Sequence, residues 1–187
     1  DARSLYWKQR EKVVKGSPQW IAGELLAEPF EIRENGVRFR IDFRAGYSQG
    51  IFLDQRENRR RLLERVRPGE RILNCFAYTC AFSVVAASAG AVVTSLDLSG
   101  PYLDWGKENL RANGIDPATQ FFCKGDAFEW LATFHRQERR FQGVVIDPPT
   151  FSRNQQGKVF RAENDYAGLV AQACGVLEEE GWLLCTG

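Results

Sequence analysis

The chain is 187 residues long, 44% hydrophobic and 26% charged, with a formal net charge of +1. These are the values of an ordinary globular domain able to bury a core, and they exclude a disordered or fibrous chain. No run of about 18 apolar residues is present, which excludes a membrane-spanning helix, and the first residues lack the charged-then-apolar plan of a secretory leader.

Residues 1–17 are polar and basic around Trp7 and read as a loosely attached arm. The run Phe30–Phe43 alternates on both sides of Asn35-Gly36, a dipeptide that takes the positive φ angles of a two-residue turn, so a β-hairpin is predicted. Its apolar face is Phe30, Ile32, Val37, Phe39, Ile41 and Phe43, and its polar face carries Arg33, Arg38, Arg40 and Arg44. Ile51 to Arg56 leads into a helix ending near Val66, before Pro68-Gly69. Strands and helices then alternate. Strands are predicted at Ile72–Phe76, Val92–Leu96, Gln120–Cys123, Gln142–Ile146 and Trp182–Cys185. Helices are predicted at Ala81–Ala89, Tyr102–Asn113, Ala127–Gln137 and Asn164–Leu177. Five apolar strands separated by helices describe an α/β, Rossmann-like fold, a mostly parallel sheet with helices on both faces. The division that follows is an arm and hairpin over residues 1–50 and an α/β domain over residues 51–187.

The five cysteines (Cys75, Cys80, Cys123, Cys174, Cys185) form no Cys-x-x-Cys pair, and all sit in or beside apolar stretches. Buried, reduced thiols in a cytoplasmic protein are expected, with no metal site. His135, the one histidine, is flanked by Arg136, Arg139 and Arg140 and reads as a solvated helix end. Residues 1–67 carry 15 Lys/Arg against 10 Asp/Glu, and residues 68–187 carry 10 against 14. A basic front of this kind is compatible with a polyanionic partner.

In such folds ligands bind beyond the carboxyl ends of the strands, where the strand order reverses. The turn Asn74-Cys-Phe-Ala-Tyr-Thr-Cys80 precedes a helix N-terminus whose amides can hold a carboxylate. It lacks the G-x-G-x-x-G of dinucleotide folds, which argues against NAD and FAD. Asp97 lies 21 residues beyond Phe76 at a strand end. It can accept both hydroxyls of a ribose or shape the start of the next helix. Asp126 can accept an adenine amino group while the Ala127 amide meets a ring nitrogen, or it can cap its helix. Asp147-Pro148-Pro149-Thr150-Phe151-Ser152 follows a clean strand. Its prolines fix the chain direction and withhold two donors, and Phe151 offers a face on which a base can stack. A plain rigid loop would not call for an acid, two prolines and an aromatic at this strand end.

With these blocks in order, the chain resembles the class I S-adenosylmethionine (SAM) dependent methyltransferases that modify large-subunit ribosomal RNA. The resemblance rests on Gly50–Arg56, Asn74–Thr79, Asp97-Leu-Ser99 with Tyr102, Leu103 and Trp105, Asn109-Leu110 with Asn113-Gly114, and Asp147–Ser152. It implies SAM as cofactor, held by Phe52, Arg56, Phe76, Tyr78, Thr79, Asp97, Leu98, Asp126, Ala127 and Asp147. It implies a catalytic run of Asp147, Pro148, Pro149 and Phe151, and ribosomal RNA as partner. Two subfamilies compete. The guanine-N7 type shares the D-P-P-T-F-S and D-x-S-x-x-Y-L-x-W runs; the 5-methylcytosine type needs a cysteine nucleophile, for which Cys185 is the candidate and a buried strand residue the alternative reading. Arg56 either pairs with the methionine carboxylate or is an ordinary helix-start arginine. Cys80 stands where many relatives have glycine, which predicts crowding of the methionine end, and the family continues for two strands beyond Gly187. A small-molecule methyltransferase and a SAM-binding domain without turnover are the other readings.

Overall fold

The computed structural model describes residues 3–7, 18–27, 29–43, 49–153, 157 and 159–186. Arg44 and most of the basic arm fall outside them. In chain order the elements are β1 (Ser4–Trp7), β2 (Gln19–Gly23), β3 (Phe30–Glu34), β4 (Val37–Ile41), a 3-10 turn (Leu53–Gln55), α1 (Arg56–Arg65), β5 (Arg71–Cys75), α2 (Ala81–Ser88), β6 (Val92–Asp97) and α3 (Gly100–Ala112). After the 3-10 turn Pro117–Thr119 come β7 (Phe121–Lys124), α4 (Ala127–Arg136), β8 (Phe141–Ile146), β9 (Phe151–Arg153), β10 (Val159–Arg161), α5 (Ala162–Cys174) and β11 (Leu177–Cys185).

Five strands form one parallel sheet in the order β11-β8-β5-β6-β7. The strands step outward from β5 through β6 to β7, and β8 then returns to the other side of β5. That reversal opens a crevice beyond the carboxyl ends of β5, β6 and β8. Side chains along each strand alternate between two cores. Ile72, Val93 and Val145 face α1, α2 and the β3–β4 hairpin, with Leu62, Val84 and Phe39. Leu73, Leu96, Val144 and Ile146 face α4 and α5, with Leu131, Phe134 and Leu169. The predicted helices on both faces are thus present. Gly143 on β8 is required by packing, because a Cβ there would lie 2.2 Å from the Trp182 ring.

Three parts differ from the expectations. The arm contains β1, paired antiparallel with β2 across Ser4–Gly23, and Tyr6 packs its ring 5.0 Å from Phe43. The last strand starts at Leu177 rather than Trp182, with an irregularity in its pairing to β8 between those residues. Between β8 and α5 a short antiparallel hairpin, β9–β10, pairs Phe151 with Arg161.

The predicted β3–β4 hairpin has the register Phe30–Ile41, Ile32–Phe39 and Glu34–Val37, with Asn35 and Gly36 at φ 52° and 85° in the turn. This register puts Glu34 on the apolar face, and there it is buried. Arg59 of α1, 1% exposed, meets it with two parallel hydrogen bonds, Nε to Oε1 at 2.6 Å and Nη2 to Oε2 at 3.0 Å. The same guanidinium donates to the Phe52 carbonyl at 2.8 Å and lies over the Phe82 ring. Fork geometry satisfies both carboxylate oxygens, which a lysine would not do.

Removing one member of such a pair leaves the other charge buried alone. Arg59→Met should therefore lower unfolding free energy by about 3–5 kcal/mol in urea titrations. Adding Glu34→Leu to the same chain should recover more than half of that loss. A single variant as stable as the parent would show that the pair does not organise this face.

Candidate functional site: two cavities at the carboxyl edge of the sheet

The loop from β5 to α2 takes an unusual path. Phe76, Tyr78 and Cys80 all have left-handed backbones, at φ 57°, 49° and 62°. Each such non-glycine residue costs roughly 1–3 kcal/mol, so the conformation exists only because surrounding bonds hold it. The Ala77 amide donates to Leu96 O at 2.9 Å, and the Tyr78 amide to Asp97 Oδ2 at 2.8 Å. Thr79 is fully buried and donates its hydroxyl to Gly50 O at 2.6 Å. Its own carbonyl accepts from Asn109 Nδ2 at 3.0 Å.

Asn109 on α3 and Asn113 at its C-cap, one turn apart, also finish the open edge of β4. Arg40 N donates to Asn109 Oδ1 and Arg38 N to Asn113 Oδ1, each at 2.8 Å, while Asn113 Nδ2 returns a bond to Arg38 O. The two amides thus act as a neighbouring strand would. Trp105 Nε1 donates to Arg40 O at 3.1 Å, and Arg40 pairs with Glu108. Hairpin, α3 and β5–α2 loop are one bonded unit.

Cys80 does not crowd the cleft. It is fully buried with Ala77 and Leu103, and its sulfur occupies the space left by Gly106. Burial pushes its thiol up to about 12, so it stays neutral. Cys75 and Cys123 are also buried, but Cys174 and Cys185 are exposed, contrary to the expectation of uniformly buried thiols. The exposed sulfur of Cys185 borders the open cleft because the end of β11 lies beside β8, next to the Asp147 turn.

Two cavities adjoin the strand ends. The first is a narrow slot walled by Phe76, Asp97, Leu98, Asp126 and Ala127, five of the residues expected to hold the cofactor, together with Phe128, Ser152 and Phe160. Asp97 is not the helix cap; Ser99 holds that position in α3. Its carboxylate instead joins the Tyr78 amide to the Ser99 amide, one bond of 2.8 Å on each oxygen. Burial raises its pKa above the ordinary range, against the pull of those two donors. Asp126 does cap α4, accepting from Phe128 N at 3.0 Å and Glu129 N at 3.4 Å, while also facing the slot.

The second cavity is an open cleft of about 640 Å³ lined by Gln55, Asn58, Pro148, Thr150, Tyr166, Cys185 and Thr186 among others. The run Asp147–Ser152 partitions the two, with Pro148 and Thr150 on one side and Ser152 on the other. Asp147 accepts a hydrogen bond from the Thr186 hydroxyl, and Tyr166 donates to Thr186 O at 2.9 Å. Burial raises the Asp147 pKa; the Thr186 bond opposes that, the Asp54 carboxylate adds to it and the Arg59 charge opposes it. Burial, with Cys185 and Asp147 nearby, pushes the Tyr166 hydroxyl up to about 12.

Other predicted residues sit outside both walls. Phe52 packs 5.2 Å from Tyr78, which is 4.5 Å from Tyr102, so these rings brace the loop. Arg56 opens α1, exposed and without an ion pair among the described residues. Pro149 and Phe151 are exposed, and Arg161 lies 5.6 Å above the Phe151 ring. Sequence reasoning missed Phe128, Phe160, Tyr166, Thr186 and the Gln55–Asn58 pair. The β9–β10 hairpin that delivers Phe160 left a signal only in two β-prone triplets flanking Gly157.

A family model described as S-adenosylmethionine-dependent methyltransferase matches residues 2–186. The chain is 36% identical over 178 residues to ribosomal RNA large subunit methyltransferase K of Neisseria meningitidis serogroup B, covering 94% of this chain and 50% of that protein. It is 35% identical to ribosomal RNA large subunit methyltransferase I of Aeromonas salmonicida, covering 89% and 43%. It therefore spans about half the length of these curated relatives or less. A protein solved in complex with SAH and assigned as a methyltransferase superposes with a TM-score of 0.82 at 34% identity, covering 90% of this chain and 44% of that one. The SAM-dependent methyltransferase from Agrobacterium tumefaciens also gives 0.82, at 26% identity, covering 100% and 60%.

The Cys80–Gly106 contact is testable by itself. A Cβ at Gly106 would lie 2.3 Å from Cys80 Sγ, so Gly106→Ala should destabilise by about 1–3 kcal/mol through overpacking. Cys80→Gly, which also relieves a left-handed backbone, should restore the melting temperature of the double variant.

Proposed function

The chain belongs to the S-adenosylmethionine-dependent methyltransferase family, and on that premise we propose that it methylates a base of large-subunit ribosomal RNA, at guanine N7. The observation that carries this reading is the pairing of a narrow slot edged by Asp97 and Asp126 with an open cleft across the Asp147–Ser152 run. The names of the ribosomal RNA methyltransferase relatives support the substrate class.

The residues that edge the slot suit the cofactor in their chemistry. Each Asp97 oxygen accepts one protein bond and keeps acceptor capacity for a ribose hydroxyl. Leu98, Phe128 and Phe160 give apolar walls for an adenine, with Asp126 and the Ala127 amide at its rim. Phe76, Tyr78 and Thr79 belong to the braced loop at the methionine end, and Phe52 and Arg56 stand at the outer lip. When bound, SAM supplies an electrophilic methyl group.

Guanine N7 already carries a nucleophilic lone pair, so no residue has to remove a proton to create it. The chain's task is positioning and exclusion of water. Asp147 lines neither cavity itself but stands at the turn between them, oriented by the Thr186 hydroxyl of the cleft wall, and in this reading it stabilises positive charge developing on the purine. Pro148 and Pro149 hold the turn rigid, and Phe151 offers an exposed ring for stacking of the base or its neighbour. The Arg33 and Arg38 side of the hairpin and Arg56 supply positive charge for the phosphate backbone.

A second reading is favoured by one observation, the exposed Cys185 in the cleft. Methylation at cytosine C5 would use its thiolate to attack the ring.

Incubating the chain with labelled SAM and unmodified large-subunit RNA, then mapping the product by mass, should give a methylated guanine lacking reactivity at N7. Cys185→Ala should keep at least half of the parent rate under this reading; abolition of transfer, with a methylcytosine product in the parent, would establish the C5 route.

Acidification should weaken cofactor binding earlier than for an ordinary carboxylate. Because burial raises the Asp97 pKa above 3.8, protonation sets in at higher pH and removes an acceptor for the ribose. The affinity of S-adenosylhomocysteine, measured by calorimetry, should fall as pH drops toward that raised value. In Asp97→Asn it should be lower throughout and lack this component.

A further inference from the structure

The open cleft has a feature that neither cofactor binding nor Asp147 uses. Two side-chain amides from the start of α1, Gln55 and Asn58, line it together, and Asn58 Nδ2 donates to Gln55 Oε1 at 2.7 Å. The pair is not a helix cap, since Gln55 occupies the N-cap position of α1 without making a side-chain cap bond. Neither side chain has another hydrogen-bond partner among the described residues.

A primary amide offers an acceptor oxygen and a nitrogen with two donors. Joined as they are, Gln55 retains its Nε2 donors and Asn58 its Oδ1 acceptor. Exchanging O and N in both side chains reverses the roles and still leaves one donor beside one acceptor. The pair therefore presents a fixed, neutral, two-pronged edge to whatever enters. A phosphate or carboxylate, having acceptors only, would meet the amide oxygen unfavourably, and an ammonium would leave the donors unused. The Watson–Crick edge of an unpaired base places a donor and an acceptor side by side and matches both prongs. The cleft volume, about 640 Å³, lies in the ~300–1,000 Å³ range of small-ligand sites.

We propose that Gln55 and Asn58 are the specificity-determining pair that reads the Watson–Crick edge of an unpaired guanine held in this cleft. The proposal rests on the base-methylation reading above. One amide oxygen accepts from N1–H and the 2-amino group while the partner amide donates to O6. This grip leaves the N7 edge of the purine uncovered for transfer. It explains why two neutral amides, rather than another of the arginines that crowd α1, stand at the cleft: a guanidinium has no acceptor for those purine donors.

The test is steady-state methylation of large-subunit RNA by the whole chain and by Gln55→Ala and Asn58→Ala. Both variants should bind S-adenosylhomocysteine and melt like the parent, while kcat/KM for RNA falls roughly 10- to 100-fold, the range expected for losing a base-edge contact. Replacing the mapped target guanosine by inosine, which lacks the 2-amino group, should slow the parent. It should add no further loss in whichever variant has lost the acceptor. Variants with kcat/KM within twofold of the parent, or an inosine penalty undiminished in both, would overturn the proposal. A parent chain that binds S-adenosylhomocysteine yet methylates no RNA would overturn the underlying reading instead.

Discussion

The β5–α2 loop holds three left-handed non-glycine residues within five positions, and much of the surrounding structure is arranged to keep them there. At roughly 1–3 kcal/mol each, this strain rivals the net stability of a domain of this size. It is offset by bonds from three directions: Leu96 and Asp97 on β6, Gly50 before α1, and Asn109 on α3. Asp97 shows the economy of the arrangement. One carboxylate fixes the loop through Tyr78 and the start of α3 through Ser99, and still faces the slot.

The same network makes the β3–β4 hairpin part of the site. Asn109 bonds Arg40 on the hairpin with one end of its amide and Thr79 in the loop with the other. On the far side, Glu34 reaches from the hairpin to Arg59, whose charge acts on Asp147 and whose guanidinium holds the Phe52 carbonyl. Val37, Phe39 and Ile41 lie in one apolar cluster with Leu62, Val84 and Val145. A shift of the hairpin would therefore be felt at both cavities, through rigid hydrogen bonds rather than through long side chains in solvent.

Elements with local signals were legible in the sequence. The Asn35-Gly36 turn, the five apolar strands and the glycines or caps ending each helix rest on short-range backbone preferences, and they stand within a few residues of their expected positions. Asp97, Asp126 and the Asp147 turn were legible because strand ends in this topology face one crevice. Long-range contacts were not. Glu34 falls in phase with Phe30 and Ile32, yet a charge there finds its partner only in Arg59, 25 positions later. Cys80 looks like an obstruction until Gly106 is placed opposite it, and nothing local in Gly106 announces that space. Phe160 and Tyr166 carry no local signal of a site, and only the β9–β10 pairing and the α5 register bring them to cavity walls.

The electrostatics of the Asp147 turn bear on the proposed chemistry. Burial and the Asp54 carboxylate raise the Asp147 pKa, while Thr186 and Arg59 restrain it. An acid balanced in this way is suited to orienting a base and meeting positive charge, which is what N7 alkylation generates. A cysteine mechanism asks for the opposite field, since a thiolate is favoured by nearby cations or a helix N-terminus. Cys185 sits instead at the end of a strand, beside Tyr166, whose hydroxyl is pushed up by burial first and then by this thiol and the Asp147 carboxylate. In the guanine-N7 reading proposed above, the neutral amides of Gln55 and Asn58 on the α1 wall fit recognition without proton transfer.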